Sequence, residues 1–239
     1  FVISERAPLA WSQDGRRVFF GIIPQTPAPD TSKAPSTDSV PDVDVWRTSD
    51  DRVQSVQMIQ AERDRNRTFR QAFDVGAGRF VALADSSMRD LQLSPDGRWA
   101  VGADPRPYIA DTARSRADLY RVDTRTGERT LMVRGQLVGQ YAFGFSPDSR
   151  RLAGGGPGPV VYLWDVESGE IQRRIGRAIG PPTVAFVNGG EEIRAASAEG
   201  IVRGYVLDPV ALLEIARGKV ERELTDEECM RYLRRGCDR

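Results

Sequence analysis

Hydrophobic and polar residues alternate in short runs along most of the chain, and several of these runs lead into a turn-forming sequence. Leu91 and Leu93 alternate with polar neighbours, as in a strand with one buried face. Residues 94–97 (Ser-Pro-Asp-Gly) then favour a tight turn, because proline fixes φ at the second turn position and glycine accepts a positive φ. Trp99 and Val101 belong to the returning strand, so the pattern predicts a β-hairpin.

The same hairpin pattern recurs along the chain, and its repetition predicts an array of equivalent sheets. The copies begin at Leu9, Leu91, Phe143 and Val184, and the last copy is the most divergent. A second hairpin follows the second and third copies, so each unit predicts a four-stranded antiparallel blade. In the third copy Ser149 replaces the turn glycine, which predicts a strained or different turn. We therefore expect an all-β fold, a β-propeller of about four blades that forms a closed small ring or an arc of a larger propeller.

The repeats divide the chain into a propeller over residues 1–207 and a helical extension over residues 208–239. The predicted blades span residues 7–85, 89–134, 139–176 and 181–207. The last blade shows three strands, and we expect residues 1–4 to add its fourth strand and so close the ring. Residues 24–42 are rich in Pro, Ser, Thr and Asp and predict a flexible insertion. Residues 53–65 predict a short helix or an irregular crossing.

The C-terminal extension has the pattern of two short helices. Asp208 is a predicted N-cap followed by proline at the first helical position, and Gly218 is the predicted end of that helix. Thr225 and Glu228 have the spacing of a capping box at the start of the second helix.

Some segments resemble known families. Residues 161–169 (Val-Tyr-Leu-Trp-Asp-Val-Glu-Ser-Gly) resemble the end of a WD repeat, and residues 139–207 resemble bacterial WD-repeat proteins, as does the tail. Residues 1–134 resemble the N-terminal propeller of bacterial prolyl-oligopeptidase-type serine peptidases, through residues 42–46, 60–68 and 78–84. The chain has no histidine, so the Gly-His signature of WD blades is missing. These resemblances imply two propeller subfamilies joined in one array, by nature or by design.

The composition narrows the classes of partner. The chain has 34 basic and 34 acidic residues, so its net charge gives no reason to expect nucleic acid or an anionic membrane as a partner. No apolar run approaches the ~18 residues of a membrane span, and the location, cytoplasmic or extracytoplasmic, stays open. Cys229 and Cys237 either form a disulfide that closes a short loop or remain two thiols.

The residue types of the common catalytic sites are missing. Without histidine, Ser-His-Asp and Cys-His nucleophile systems are excluded within this sequence, and the commonest zinc ligand is absent. Neither a Gly-x-Ser-x-Gly elbow nor a Gly-x-x-x-x-Gly-Lys phosphate loop occurs. Asp14, Asp96 and Asp148 each follow a turn serine, which turn formation explains without a metal ion. We expect no enzymatic activity, no cofactor and no metal site in this chain.

Polar and aromatic residues near the insertions predict a binding surface. Residues 62–67 (Glu-Arg-Asp-Arg-Asn-Arg) either present arginines to a carboxylate or form a solvated charged face. The candidate binding residues are Trp46, Arg63, Arg65, Arg67 and Tyr108. The tryptophans in the motif strands instead predict packing between blades: Trp11, Trp99 and Trp164.

Two functions compete on this sequence. The first is a non-enzymatic propeller that acts as a scaffold for a protein or peptide ligand, bound where the loops between strands converge. The alternative, implied by the resemblance of the first half, is a propeller that gates substrates for a prolyl-oligopeptidase-type serine peptidase. The hydrolase domain of such a peptidase is absent from this chain.

Overall fold

The structure is a computed structural model that describes residues 1–25, 54–109, 116–137, 143–155, 160–175, 183–196, 200–219, 222 and 224–237. Most of the regular secondary structure in the described chain is antiparallel strand, and the strands form four sheets in chain order. The expected all-β fold of propeller-like blades is confirmed, and the described residues form no closed ring.

The first two sheets contain the longest strands. Sheet 1 consists of β1 (Val2–Ile3), β2 (Ala10–Trp11), β3 (Arg17–Ile23), β4 (Phe69–Asp74) and β5 (Arg79–Ala82). Helix α1 (Gln54–Arg65) precedes β4, so the predicted short helix is confirmed. Sheet 2 consists of β6 (Leu91–Leu93), β7 (Trp99–Asp104), β8 (Arg116–Asp123) and β9 (Arg129–Leu137).

The other two sheets are shorter, and helices follow them. Sheet 3 consists of β10 (Phe143–Phe145), β11 (Arg151–Gly155), β12 (Val161–Asp165) and β13 (Ile171–Ile175). Sheet 4 consists of β14 (Thr183–Val187), β15 (Glu192–Ala196) and β16 (Val202–Val206). The extension contains α2 (Pro209–Lys219) and α3 (Asp226–Glu228), which continues as a π-helical turn, Cys229–Leu233.

Each sheet packs on the next through side chains that alternate along the strands, because successive strand residues point to opposite faces. Phe19 and Val81 of sheet 1 pack with Ala100 and Val122 of sheet 2. Sheets 2 and 3 share a cluster that contains Trp99, Val101, Leu119, Leu152, Trp164 and Val166. Sheets 3 and 4 share a cluster that contains Ala153, Val161, Leu163, Val184, Ile193 and Ala195. Sheets 2 and 3 therefore bury both of their faces.

A repeated turn joins β2 to β3, β6 to β7 and β10 to β11. We call the end of the sheets that carries these turns the turn rim. In each turn a serine hydroxyl donates to the aspartate two residues later, over 2.5 to 2.6 Å. The same hydroxyl oxygen accepts the backbone N–H five residues later. Ser149 adopts the left-handed conformation of Gly15 and Gly97, with φ of 60°. The third turn is therefore not different, although a non-glycine residue at this φ is strained.

The prediction that residues 1–4 complete the last blade is wrong. In β1, Val2 pairs with Ile23 and Ile3 with Ile22, so these residues belong to sheet 1. β2 pairs only with Val18 and Phe19 of β3, which leaves the far end of β3 without a partner on that side. Residues 2–3 supply backbone partners for this end of β3. Pairing with a strand that is close in sequence costs less loop-closure entropy than pairing with the distant last blade. Sheet 4 has three strands among the described residues.

The C-terminal extension matches most of its predicted features. The Asp208 carboxylate accepts the N–H groups of Val210 and Ala211, as expected for the start of α2. Gly218 does not end this helix, which continues to Lys219. Thr225 forms a capping box at the start of α3. Within the described chain, none of the helices is long and apolar enough to cross a membrane.

The two cysteines, for which a disulfide and two thiols were both open, are joined as a disulfide, Cys229–Cys237. Residues 26–42 of the predicted insertion and Trp46 lie outside the described residues.

Candidate functional site

The end of sheets 1 and 2 opposite the turn rim carries the helix α1 and a 3-10 turn, Arg106–Tyr108. We call this end the loop rim; it comprises residues 54–68, 84–90, 104–109, 116–118 and 134–136. It holds most of the described candidate residues and a group of buried charges, and we build the site from those charges outward.

Two buried carboxylates face each other at the centre of the loop rim. Asp104 ends β7 and pairs directly with Asp118 in β8. Both residues are buried. Like charges directly opposite each other in a sheet are destabilising, so each carboxylate needs its own compensating donors.

Arg106 compensates Asp104. Its Nε and Nη2 atoms donate to the two carboxylate oxygens over 2.9 and 2.7 Å, and its backbone N–H donates over 3.0 Å. These hydrogen bonds lower the pKa of Asp104 and raise the pKa of Arg106. The Arg106 side chain remains 58% exposed, so the guanidinium is held at a fixed position while still facing solvent.

Asp118 is compensated by uncharged donors. The Tyr108 hydroxyl donates to its Oδ1 atom over 2.7 Å, and the Gly135 N–H donates over 2.9 Å. The hydrogen bond to Asp118 raises the pKa of Tyr108. Gly135 has a φ of 62°, and a Cβ atom there would lie 3.4 Å from the Tyr108 hydroxyl oxygen. That distance is an ordinary contact, so the positive φ, and not a lack of space, favours glycine at this position.

The sequence of residues 104–108 (Asp-Pro-Arg-Pro-Tyr) explains how one short turn serves both carboxylates. Pro105 and Pro107 restrict φ, which favours a tight turn over a continued strand. The Tyr108 N–H donates to the Pro105 carbonyl over 2.9 Å and closes the turn. The turn brings Arg106 back to Asp104 and sets Tyr108 against Asp118.

Ion pairs extend the loop rim towards sheet 1. Arg89 donates to Asp64 at the end of α1 over 2.9 Å, and Arg67 lies 3.5 Å from Asp90. Both pairs are solvent-exposed and contribute little to stability. They do place alternating positive and negative side chains on one surface beside the 3-10 turn.

Asp85 lies on the loop rim and forms an ion pair with Arg129 of β9, over 3.1 Å. Partial burial acts to raise its pKa, but hydrogen bonds from the Ser87 hydroxyl and amide, and from Arg129, outweigh this effect. They lower the pKa of Asp85 to about 2. Arg129 also donates to the Leu83 carbonyl over 2.7 Å, so this arginine of β9 fastens sheet 2 to the end of sheet 1.

The structure places some of the predicted binding residues on the same rim. Tyr108 and Arg67 lie on the loop rim, and Arg65 is exposed at the end of α1. The side chain of Arg63 and all of Trp46 lie outside the described residues. The sequence interpretation missed Asp104, Arg106, Asp118 and Gly135. The Asp-Pro-Arg-Pro-Tyr segment was the available signal, but the pairing of Asp104 with Asp118 depends on strand register.

Arg106 is the charged group of this arrangement that remains open to solvent. The two central carboxylates already accept from protein donors, and Arg106 faces solvent. Among the described residues, no group of three or more His, Cys, Asp or Glu side chains is placed to hold a metal ion. The turn aspartates Asp14, Asp96 and Asp148 accept from serine hydroxyls and from backbone N–H groups of their own turns.

Comparison with known proteins adds no family. No family model matches the chain. A search of curated proteins finds no significant match.

Proposed function

We propose that this chain is a non-enzymatic scaffold that binds a protein or peptide segment at the loop rim. One observation carries the proposal. Arg106 and Tyr108 lie on a single turn, and each side chain is held by a hydrogen bond to a buried carboxylate. Arginine and tyrosine are enriched among the residues that dominate protein interfaces.

Fixing these side chains in advance favours binding. A long side chain that becomes ordered only on association loses about 0.5–1.5 kcal/mol of conformational free energy. Asp104 and Asp118 hold Arg106 and Tyr108 in place before any ligand arrives. Much of the ordering cost at these two positions is therefore met during folding.

The exposed charges indicate the kind of segment that would bind. Arg65, Arg67 and Arg106 present guanidinium groups on the loop rim, and the guanidinium fork matches carboxylates. A peptide with an acidic side chain or a free C-terminal carboxylate suits this surface, with an aromatic contact from Tyr108.

A selection from a phage-displayed library of random peptides tests the proposal. We expect enriched peptides to carry carboxylates, and we expect Arg106→Ala and Tyr108→Ala each to weaken binding by about 10-fold or more. Circular dichroism and urea unfolding would check that both variants fold.

The chain supplies a matched control for Arg106 on the turn rim. Arg125 binds Asp123 two residues earlier through the same three donors, and its side chain is 51% exposed. We expect Arg125→Ala to leave peptide binding unchanged. Failure to enrich any peptide over a blank surface, or an equal loss with Arg125→Ala, would contradict the proposal.

A further inference from the structure

Equivalent cross-strand rows occur on one face of every sheet. We call this the incoming face, because in sheets 2 to 4 it packs on the preceding sheet; the opposite face is the outgoing face. The incoming rows pair residues in register across the strands: Trp11–Val18–Phe73–Phe80, Leu93–Ala100–Val122, Phe145–Leu152–Trp164 and Phe186–Ile193–Tyr205.

Sheet 1 differs from the others in how its incoming row is covered. In sheets 2, 3 and 4 these rows belong to the hydrophobic clusters between sheets. In sheet 1, Trp11 is 63% exposed and Phe73 is 38% exposed. The expectation that Trp11 packs between blades is therefore wrong for the described chain, whereas Trp99 and Trp164 are buried as expected. A contiguous exposed apolar patch of this kind marks an interaction site.

The three observed interfaces show what covers an incoming row. In each case the outgoing face of the preceding sheet covers the row. Among the described sheets, the outgoing face of sheet 4 is the one with no following sheet. It carries the rows Thr183–Ala196–Val202 and Ala185–Arg194–Gly204.

The two end faces are complementary in size. Sheet 1 offers Trp11, Phe73 and Phe80, whereas the outgoing face of sheet 4 combines four small residues with valines and the ion pair of Arg194 with Glu192. The small residues are Thr183, Ala185, Ala196 and Gly204. The interface of sheets 3 and 4 uses a similar combination. The incoming row Phe186–Ile193–Tyr205 packs in one cluster with Ala153 and Leu163 of the outgoing face of sheet 3. Large side chains against small ones let packed layers interdigitate.

We propose that the incoming face of sheet 1 docks on the outgoing face of sheet 4 of a second copy of this chain. Two copies related by a two-fold axis would use both contacts and would leave no end face uncovered. Helix α2 follows β16 directly in the chain and exposes Leu212, Leu213 and Ile215. The proposal concerns the end faces and is independent of binding at the loop rim.

Sedimentation velocity of the purified chain over a range of concentrations tests this proposal. We expect a dimer, and we expect Phe73→Arg or Val202→Arg to raise its dissociation constant by about 100-fold or more, because each buries an unpaired charge. Ile171→Arg is the matched control: Ile171 is also 38% exposed but lies on sheet 3, so its variant should remain dimeric. Far-UV circular dichroism would establish that each variant retains its sheets.

Mixing the two variants separates this arrangement from a contact between two copies of sheet 1. Phe73→Arg keeps an intact sheet 4 and Val202→Arg keeps an intact sheet 1, so an equimolar mixture should recover one contact and dimerise more strongly than either variant alone. A wild-type chain that stays monomeric, a Val202→Arg variant that dimerises normally, or a mixture without recovery would overturn the proposal.

Discussion

The turn rim and the loop rim lie at opposite ends of the same strands, and they are built in different ways. On the turn rim one serine–aspartate turn recurs in three sheets, and neighbouring turns touch. The Gln13 N–H donates to the Asp96 carbonyl over 3.1 Å, and the Asp96 N–H donates to the Ser149 hydroxyl over 3.0 Å. On the loop rim, Arg106 and Tyr108 occupy a single turn, and no equivalent turn occurs among the described residues of the other sheets.

The difference separates a structural role for the turn rim from the binding role that we propose for the loop rim. Arg17 reaches from sheet 1 to the buried Thr124 hydroxyl of sheet 2, and Arg151 reaches from sheet 3 to the Gly190 carbonyl of sheet 4. Repeated links of this kind hold consecutive units together, as in other repeat proteins. The site that we propose for binding lies instead on a rim formed by longer connections, and binding residues are common on such loops.

The largest effect should come from an aromatic residue at the turn rim. The Trp99 ring lies between the guanidinium groups of Arg98 and Arg121, at 5.1 and 4.3 Å, and packs between sheets 2 and 3. We expect Trp99→Ala to lower the free energy of unfolding by about 3–5 kcal/mol. Tyr108→Ala at the loop rim should cost less, about 1–3 kcal/mol, because the residue is partly exposed but its loss removes a donor from the buried Asp118 carboxylate. Urea unfolding of both variants compares the rims, and similar losses would remove the distinction.

An intermediate effect is expected for the turn serine itself. Ser94 is buried, donates to Asp96 over 2.6 Å and accepts the Trp99 N–H over 3.0 Å. Ser94→Ala leaves these groups without their partner, so we expect a loss of about 1–3 kcal/mol. Binding of selected peptides should stay at the wild-type affinity. A stable Ser94→Ala protein with weakened binding would reverse the roles assigned to the two rims.

The smallest effect is the acid dependence of the Asp85 contact. Because the pKa of Asp85 is lowered to about 2 in the folded chain, the ionised group stabilises the fold above its unfolded pKa of about 3.9. This contribution is lost as the pH falls from about 4 to about 2. We expect Asp85→Asn to cost about 1 kcal/mol at neutral pH, since the side chain is more than half exposed. The difference from wild type should shrink in acid; a constant difference would contradict the assigned pKa.

The repeated hairpin made much of the fold predictable. Alternation at Leu91 and Leu93 and the turn at residues 94–97 depend on local chemistry, and both appear as predicted. Ser149 adopts the glycine conformation because the surrounding turn fixes the backbone. Its hydroxyl then accepts a bond from sheet 2 that glycine could not accept.

The sequence patterns did not predict which side chains are buried between sheets or which residues pair across strands. Trp11 occupies the position of Leu93, so the hairpin pattern predicts burial, but burial depends on a neighbouring sheet that one hairpin does not specify. The site was only partly predictable for a similar reason. Tyr108 was identified from its polar surroundings, whereas Asp118 becomes its partner through the pairing of β7 with β8.

The central claim is that contact between neighbouring turns on the turn rim holds the sheets together, and two equivalent glycines test it most directly. Gly15 and Gly97 both have a positive φ, so alanine brings a similar backbone strain of about 1 kcal/mol at either position. A Cβ atom at Gly15 meets nothing within 4 Å, whereas at Gly97 it would lie 3.0 Å from the Ser12 backbone. We therefore expect urea unfolding to show that Gly97→Ala costs at least about 2 kcal/mol more than Gly15→Ala. Equal losses would mean that the turns of sheets 1 and 2 are not in contact and would contradict the account.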